Sequence, residues 1–351
     1  MFDLILIGYG NVARRFAALL DEQRDVLLRD HGLRARIVGI ATRRHGQVYG
    51  LQALSALTQP DGPAKAGHYR NQTTLSFLRD ALKESAAAAR QGRLIVIETT
   101  TLDIARGEPA IGHIRAALAG GAHVITANKG PVAFAYGTLA RAAQRSHRRF
   151  LFEGAVMDGV PIFNLVRETL PAVGVVGFRG VVNSTTNFIL TAMEDGQRFD
   201  AALAEMQARG VAEADASLDV DGWDAAAKTA ALANVLLGAN ITPKDVDRQG
   251  IGPGTGRLAR AARKAGKRLK LVVRAERQGR RITARVAPED LPGDDLLAGL
   301  EGQQNALILK TELLEEIAIV QRSGSLTQTA YALLSDLITI ARAAPSGPRR
   351  R

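Results

Sequence analysis

The sequence contains no cysteine among its 351 residues. Disulfides, thiolate metal sites and a cysteine nucleophile are therefore excluded. It also lacks any apolar run near the 18 residues that a membrane helix requires, and its start, MFDLILIGYG, has no basic leader of the kind found in signal peptides. Aromatic residues make up only 5% of the chain, and this composition suits aliphatic helices packed on a sheet. We therefore expect a soluble, cytoplasmic protein without a membrane partner.

Acidic residues are fewer than basic ones, and the formal net charge is +11. Most of the basic excess is arginine, which is dense over residues 257–285. Such an excess can mark a nucleic-acid face. However, no aromatic residues interleave with it, as a single-strand platform would require, and the pattern LKLVVRAERQGRRITARVAP predicts a hairpin with solvated arginines. We therefore favour a solvated surface and expect no nucleic-acid partner.

The N-terminus carries the pattern of a dinucleotide site. An apolar run over residues 4–7 predicts a buried strand, and a helical pattern follows over residues 12–20. Between them the fingerprint G-x-G-x-x-G/A has glycine in its first two places and alanine in the third, which permits a tight turn, close approach of backbone to a pyrophosphate and close helix packing. The residues that we assign to cofactor binding here are Gly8, Gly10, Asn11, Val12 and Ala13.

Later strand ends supply further candidates for the cofactor site. Arg43 and Arg44 follow the predicted strand 36–41, where an arginine suits the 2'-phosphate of NADP, although an arginine stacked on adenine is also compatible with NAD. Thr99 and Thr100 follow the predicted strand 94–97, as cofactor ligands or simply as caps of the next helix. Lys129 follows a fourth predicted strand.

The most unusual stretch, residues 210–238, places five carboxylates ahead of an alanine-rich helical pattern. Asp224 and Lys228 are four residues apart, so they share a helix face with apolar residues. One interpretation is a structural ion pair, with Asp221 as the helix N-cap. The other is a catalytic acid and base. The residues of this stretch alone leave both open.

Several blocks of the chain resemble homoserine dehydrogenases, in order and over about residues 3–343. They include HVITANKGPVA, FEGAVMDGVPI, NSTTNFILTAM and GVAEADASLDVDGWDAAAK. The resemblance implies an α/β fold with an N-terminal Rossmann domain, residues 1–150, completed by a C-terminal helix within residues 322–343. It also implies an α/β catalytic and dimerisation domain over residues 151–321. Residues 344–351 would form a disordered basic tail.

The same resemblance implies reversible, NAD(P)-dependent interconversion of L-homoserine and L-aspartate 4-semialdehyde by a homodimer, in threonine, methionine and isoleucine biosynthesis. Proton transfer would fall to Lys228, with Asp224 beside it and Lys129 as a second active-site lysine. The substrate would be bound by Glu213, Asp219, Thr185 and Ser184. A sodium ion would be held by Glu153, Val156, Asp158 and Val160.

Two positions depart from the family pattern. Ser184 stands where glycine is usual in NGTTN, and Glu98 stands where a smaller polar residue is usual. They motivate an alternative, a catalytically silent NADP(H)-binding paralogue that acts as a sensor or partner protein. Related aldehyde dehydrogenases are excluded, because they need a cysteine nucleophile. The pattern ends near Arg342, so we expect no regulatory amino-acid-binding domain and no threonine feedback through one.

Overall fold

The computed structural model describes residues 1–42, 46–50, 73–208 and 215–343. The predicted cofactor residues Arg43 and Arg44, the predicted substrate residue Glu213 and the predicted tail lie outside these ranges. The chain divides into two compact units. The first contains Met1–Pro131, Ala135–Gly159 and the chain from Ser325 onward; the second contains Val132–Phe134 and Val160–Gly324.

The first unit is built on a six-stranded sheet with the order β3-β2-β1-β4-β5-β6. All neighbours are parallel except β3, which runs antiparallel to β2. The strand order reverses direction between β1 and β4, as in doubly wound dinucleotide-binding folds. The strands are β1 (Phe2–Ile7), β2 (Ala35–Ala41), β3 (Gln47–Tyr49), β4 (Leu94–Glu98), β5 (His123–Thr126) and β6 (Phe150–Leu151).

Helices cover this sheet. The last one, α12, packs against α1, and its Leu333, Leu337 and Ile340 are buried in one apolar cluster with Leu4 and Phe16. The predicted α/β fold, with a Rossmann-type domain joined by the C-terminal helix, is therefore confirmed. The helices are α1 (Asn11–Glu22), α2 (Arg24–His31), α3 (Thr74–Glu84), α4 (Ala86–Arg90), α5 (Ala110–Ala119), α6 (Lys129–Arg145) and α12 (Leu326–Ala343).

The second unit contains another six-stranded sheet, with the order β12-β11-β7-β9-β10-β8. Its neighbours are antiparallel except β10 and β8. The arginine-rich segment forms the predicted hairpin, β9 and β10. The strands are β7 (Val175–Val181), β8 (Asp247–Arg248), β9 (Lys267–Gln278), β10 (Arg281–Pro292), β11 (Asn305–Thr311) and β12 (Glu316–Gln321).

The alanine-rich stretch becomes α10, whose residues are buried nearly all round, as its composition predicts. The interpretation with Asp221 as the N-cap of this helix is wrong. Gly222 is the N-cap, in a left-handed conformation at φ 79°, and Asp221 is the C-cap of the short helix before it. The helices of the unit are α7 (Ser184–Glu194), α8 (Phe199–Ala208), α9 (Ser217–Val220), α10 (Trp223–Leu236) and α11 (Thr255–Lys264).

Within the described ranges, no helix combines the length and the apolar character that a membrane span requires.

The packing of α12 can be tested with a matched pair of substitutions. Leu337 is fully buried and Tyr331 is 51% exposed on the same helix. Leu337→Ala should lower the free energy of unfolding by about 3 kcal/mol, because it leaves a cavity in the core of the first unit. Tyr331→Ala should change it by less than about 1 kcal/mol. Denaturant titrations of both variants check this, and equal effects would show that α12 is not part of the core.

Candidate active site

The turn after β1 requires glycine. Gly8 has φ 90°, and a Cβ added there would lie 2.8 Å from the carbonyl carbon and oxygen of Thr99. This close approach is fixed from the other side, because the Thr99 amide donates to the Ile7 carbonyl over 2.8 Å and its hydroxyl donates to the Gly8 carbonyl over 3.2 Å. The predicted Thr99 thus lies directly beside the fingerprint turn.

The N-terminus of α1 has the features of a phosphate site. Gly10 is the N-cap, so no side chain occupies the first amides, and no acidic residue lies in the first turn. Among the described residues, no atom outside Gly10 and its two chain neighbours lies within 4 Å of the position that a Gly10 Cβ would take. Asn11 and Val12 begin the helix, and Ala13 is buried where α1 meets the sheet. Free amides and the positive end of the helix dipole fit a dinucleotide's pyrophosphate.

A buried carboxylate, Glu98, joins the ends of β4 and β5. Its Oε1 accepts hydrogen bonds from the Thr100 amide over 2.8 Å and from the Thr100 hydroxyl, while its Oε2 accepts from the Thr126 hydroxyl over 2.8 Å. Burial raises the pKa of Glu98 to about 6, although these hydrogen bonds favour the charged form.

The same network reaches Lys129. The Asn128 amide group donates to the Thr100 carbonyl over 3.1 Å, and its Oδ1 accepts from the Gly130 amide over 2.9 Å, so Asn128 is the N-cap of α6. The helix therefore begins at Lys129. Sequence reasoning missed Asn128, although an asparagine is a preferred N-cap residue.

In the second unit, Lys228 and Asp224 form the predicted pair. Lys228 Nζ lies 3.1 Å from Asp224 Oδ2, and both side chains are only 15% exposed. Nζ also donates to the Val182 carbonyl over 2.6 Å. The lysine is thus held by one charged and one neutral acceptor.

Asn183 organises the acids around this pair. Its amide nitrogen donates to Asp219 over 2.7 Å and to Asp224 over 2.9 Å. Its Oδ1 accepts from the Thr186 amide over 2.8 Å, which makes Asn183 the N-cap of α7. Burial, and next the neighbouring charge of Asp224, raise the pKa of Asp219. Sequence reasoning missed Asn183, because its partners lie 36 and 41 residues away.

A sharp elbow between α9 and α10 makes this arrangement possible. Gly222 in its left-handed conformation lets the chain turn, so that Asp219 of α9 and Asp224 of α10 reach one amide. Arg248 fixes the elbow, because it donates to the Asp221 carbonyl and its guanidinium stacks 3.9 Å from the ring of Trp223.

The predicted substrate turn lies at the N-terminus of α7. Thr185 is buried in the first turn of this helix. The Ser184 hydroxyl, the departure from glycine, accepts a hydrogen bond from Asn305 of β11 over 2.9 Å. The added side chain is therefore accommodated by the sheet.

The four residues predicted to hold sodium lie in consecutive parts of the chain, three in the first unit and one in the second. Glu153 and Val156 are buried in the first unit, and the Glu153 amide donates to Asp336 over 2.9 Å. Asp158 accepts from the Thr329 hydroxyl over 3.0 Å. Val160 belongs to the second unit. In the described residues, no cluster of three or more His, Asp or Glu side chains suits a metal, but a site of one carboxylate and backbone carbonyls stays a prediction.

Comparisons with known proteins decide the family. The family model for homoserine dehydrogenase matches residues 161–338, and the model for the homoserine dehydrogenase NAD binding domain matches residues 8–153. The chain belongs to the homoserine dehydrogenase family. The resemblance seen in the sequence is thereby confirmed.

Individual homoserine dehydrogenases match over the whole chain. A protein of Pseudomonas canavaninivorans named NAD(+)-dependent homoserine dehydrogenase is 36% identical, covering 98% of this chain and 97% of its own length. One of Methanocaldococcus jannaschii is 33% identical, covering 96% and 98%. Among solved structures, a putative homoserine dehydrogenase from Archaeoglobus fulgidus matches with a TM-score of 0.82 at 27% identity, covering 97% of this chain and 99% of that one.

The buried Glu98 predicts a pH-dependent cost to stability. An acid whose pKa is raised in the folded protein binds more protons folded than unfolded, so stability falls as pH rises from about 4.5 to about 6. Wild type should therefore lose about 2 kcal/mol relative to Glu98→Gln over this interval. Denaturant titrations of both proteins between pH 4 and 7.5 measure the difference. A difference that does not change with pH would contradict the buried, titrating carboxylate.

Proposed function

We propose that the protein is an active homoserine dehydrogenase, which interconverts L-homoserine and L-aspartate 4-semialdehyde with a nicotinamide dinucleotide. The observation that carries this proposal is the cluster of Asp219, Asp224 and Lys228 on the Asn183 amide, in a chain that also has the dinucleotide fingerprint turn. The bound dinucleotide supplies the hydride chemistry. The protein's own side chains bind the amino acid and move one proton.

The substrate's ammonium group binds to the acids of the cluster. Among the described residues, the cluster combines two acids, Asp219 and Asp224, with one lysine, Lys228, and this composition suits a cationic ligand. Glu213, which precedes α9 in the sequence, is the second acid that we assign to this ammonium. Thr185, in the first turn of α7, is a further residue that we assign to substrate binding.

Lys228 transfers the proton. An ammonium group has three N–H donors, and among the described residues two of them are directed to Asp224 and the Val182 carbonyl. The third is available for the substrate's oxygen. In the reductive direction this donor gives its proton to the oxygen as the aldehyde becomes an alcohol; in the oxidative direction the neutral amine takes the hydroxyl proton. Asp224 orients the lysine, and Lys129 is the second active-site lysine.

The proposal also covers the cofactor, a sodium ion and the oligomeric state. The pyrophosphate binds at Gly8, Gly10 and the start of α1, and Arg43 and Arg44 favour NADP over NAD, although the relative from Pseudomonas canavaninivorans is named as NAD(+)-dependent. A sodium ion binds at Glu153 and the neighbouring carbonyls. The enzyme is a cytoplasmic homodimer that serves threonine, methionine and isoleucine biosynthesis.

The alternative of a silent NADP(H)-binding paralogue has little support. It was motivated by Ser184 and Glu98. Ser184 is hydrogen-bonded to Asn305, and Glu98 is hydrogen-bonded to Thr100 and Thr126, so the structure accommodates both side chains.

An absorbance assay tests the proposal. L-homoserine with NADP⁺ or NAD⁺ should give an increase in absorbance at 340 nm. Lys228→Ala should lower kcat by about 100-fold or more, because it removes the group that we assign to proton transfer. Lys264→Ala, which removes an exposed lysine of α11, should leave kcat unchanged.

The outcomes separate two claims. Absence of turnover by the folded wild type with both cofactors would contradict the activity. Full turnover by Lys228→Ala would contradict the role of Lys228 only. Substrate binding can be followed independently, because the single tryptophan, Trp223, directly precedes Asp224 and its fluorescence should report on the cluster.

A further inference from the structure

Glu98 is a fully buried carboxylate that the proposed reaction does not use. All of its hydrogen-bond donors are neutral: the amide and hydroxyl of Thr100 and the hydroxyl of Thr126. In the part of the chain that the structure describes, it has no ion pair. A buried negative charge without a cation is uncommon. Burial removes the carboxylate from water, which costs free energy, and a few hydrogen-bond donors restore only part of the lost hydration.

Its position points to the cofactor. Glu98 is the last residue of β4 and lies in register between Ile7 of β1 and Thr126 of β5. The strand order reverses between β1 and β4, where doubly wound folds bind a dinucleotide across the carboxyl ends of their strands. The fingerprint turn after β1 binds the pyrophosphate, and β2 leads to the adenosine side. The nicotinamide half therefore belongs to the side of β4 and β5.

We propose that the buried negative charge of Glu98 makes the site bind the oxidised dinucleotide in preference to the reduced one. The oxidised nicotinamide ring carries a positive charge and the reduced ring is neutral. A carboxylate held in a poorly solvated interior attracts the cationic ring with little screening by solvent or salt. The inference rests on the proposed function of this site as a nicotinamide site.

The hydrogen bonds from Thr100 and Thr126 give Glu98 a second property, a charge that persists near neutral pH. They oppose the effect of burial, and the pKa of about 6 leaves the side chain ionised above pH 7. Other titratable groups on the helices packed against β4 and β5 are His113 and Arg115 of α5, Glu153, and Asp336 and Arg342 of α12. None of these five contributes to the pKa shift of Glu98.

The test compares dissociation constants of NAD⁺, NADH, NADP⁺ and NADPH for wild type and Glu98→Gln at pH 8, measured by titration calorimetry without substrate. The substitution should weaken binding of the oxidised forms by about tenfold, the order expected for one buried charge several ångströms away. Binding of the reduced forms should change by less than about twofold. Glu84→Gln, which removes an exposed carboxylate of α3, is the charge-matched control and should alter neither.

If Glu98→Gln weakened the binding of oxidised and reduced dinucleotides equally, the inference would be contradicted. Such a result would show that Glu98 only holds the neighbouring loops in place. An unchanged ratio of the two dissociation constants would contradict it as well. Failure of wild type to bind any of the four dinucleotides would instead contradict the proposed function.

Wild type alone gives a second measurement, in case the variant does not fold. As pH falls from 8 to 5.5, Glu98 takes up a proton, so the preference for the oxidised form should decrease while circular dichroism shows intact folding. The ratio of oxidised to reduced dissociation constants cancels any titration of the phosphates, which both forms share. A ratio that is constant across this range would overturn the inference.

Discussion

The side-chain amide of Asn183, hydrogen-bonded to two carboxylates at once, is the interaction on which the candidate substrate site depends. Asp219 and Asp224 come from different helices, and the amide brings them together. Burial first, and the neighbouring charge of Asp224 next, raise the pKa of Asp219. Among the described residues, the cluster combines these two acids with one lysine in a largely buried place, and this composition suits an ammonium-bearing substrate.

A parallel arrangement occurs in the first unit at the carboxyl edge of its sheet. There a carboxylate is the centre, and neutral donors hold it: Glu98 accepts from Thr100 and Thr126, and Asn128 extends the network to the start of α6. In both units, neutral hydrogen-bond donors help to fix a buried carboxylate, and in the second unit the Lys228–Asp224 ion pair adds to them. Such groups have little freedom to reorganise, so their electrostatic effect is built in before a ligand binds.

Much of the fold follows from local sequence patterns. The run Leu-Ile-Leu-Ile predicts β1, the fingerprint predicts a glycine-dependent turn at Gly8, and the spacing of four places Lys228 against Asp224 on one buried helix. The interpretation with Asp221 as N-cap is wrong, because the chain turns at Gly222, whose left-handed conformation glycine adopts without strain, and the helix begins after it. Asn183 could not be predicted, because it carries no charge and its partners come from distant parts of the chain.

The central claim is tested most directly by Asn183→Ser. Serine retains the ability to cap α7 but is too short to donate to both carboxylates, so the change isolates the amide's role in the cluster. Titration of L-homoserine against Trp223 fluorescence should give a dissociation constant raised by about tenfold or more, since two hydrogen bonds to charged groups are lost, while the dissociation constant of the dinucleotide stays unchanged. Homoserine binding by Asn183→Ser with the wild-type dissociation constant would contradict the account.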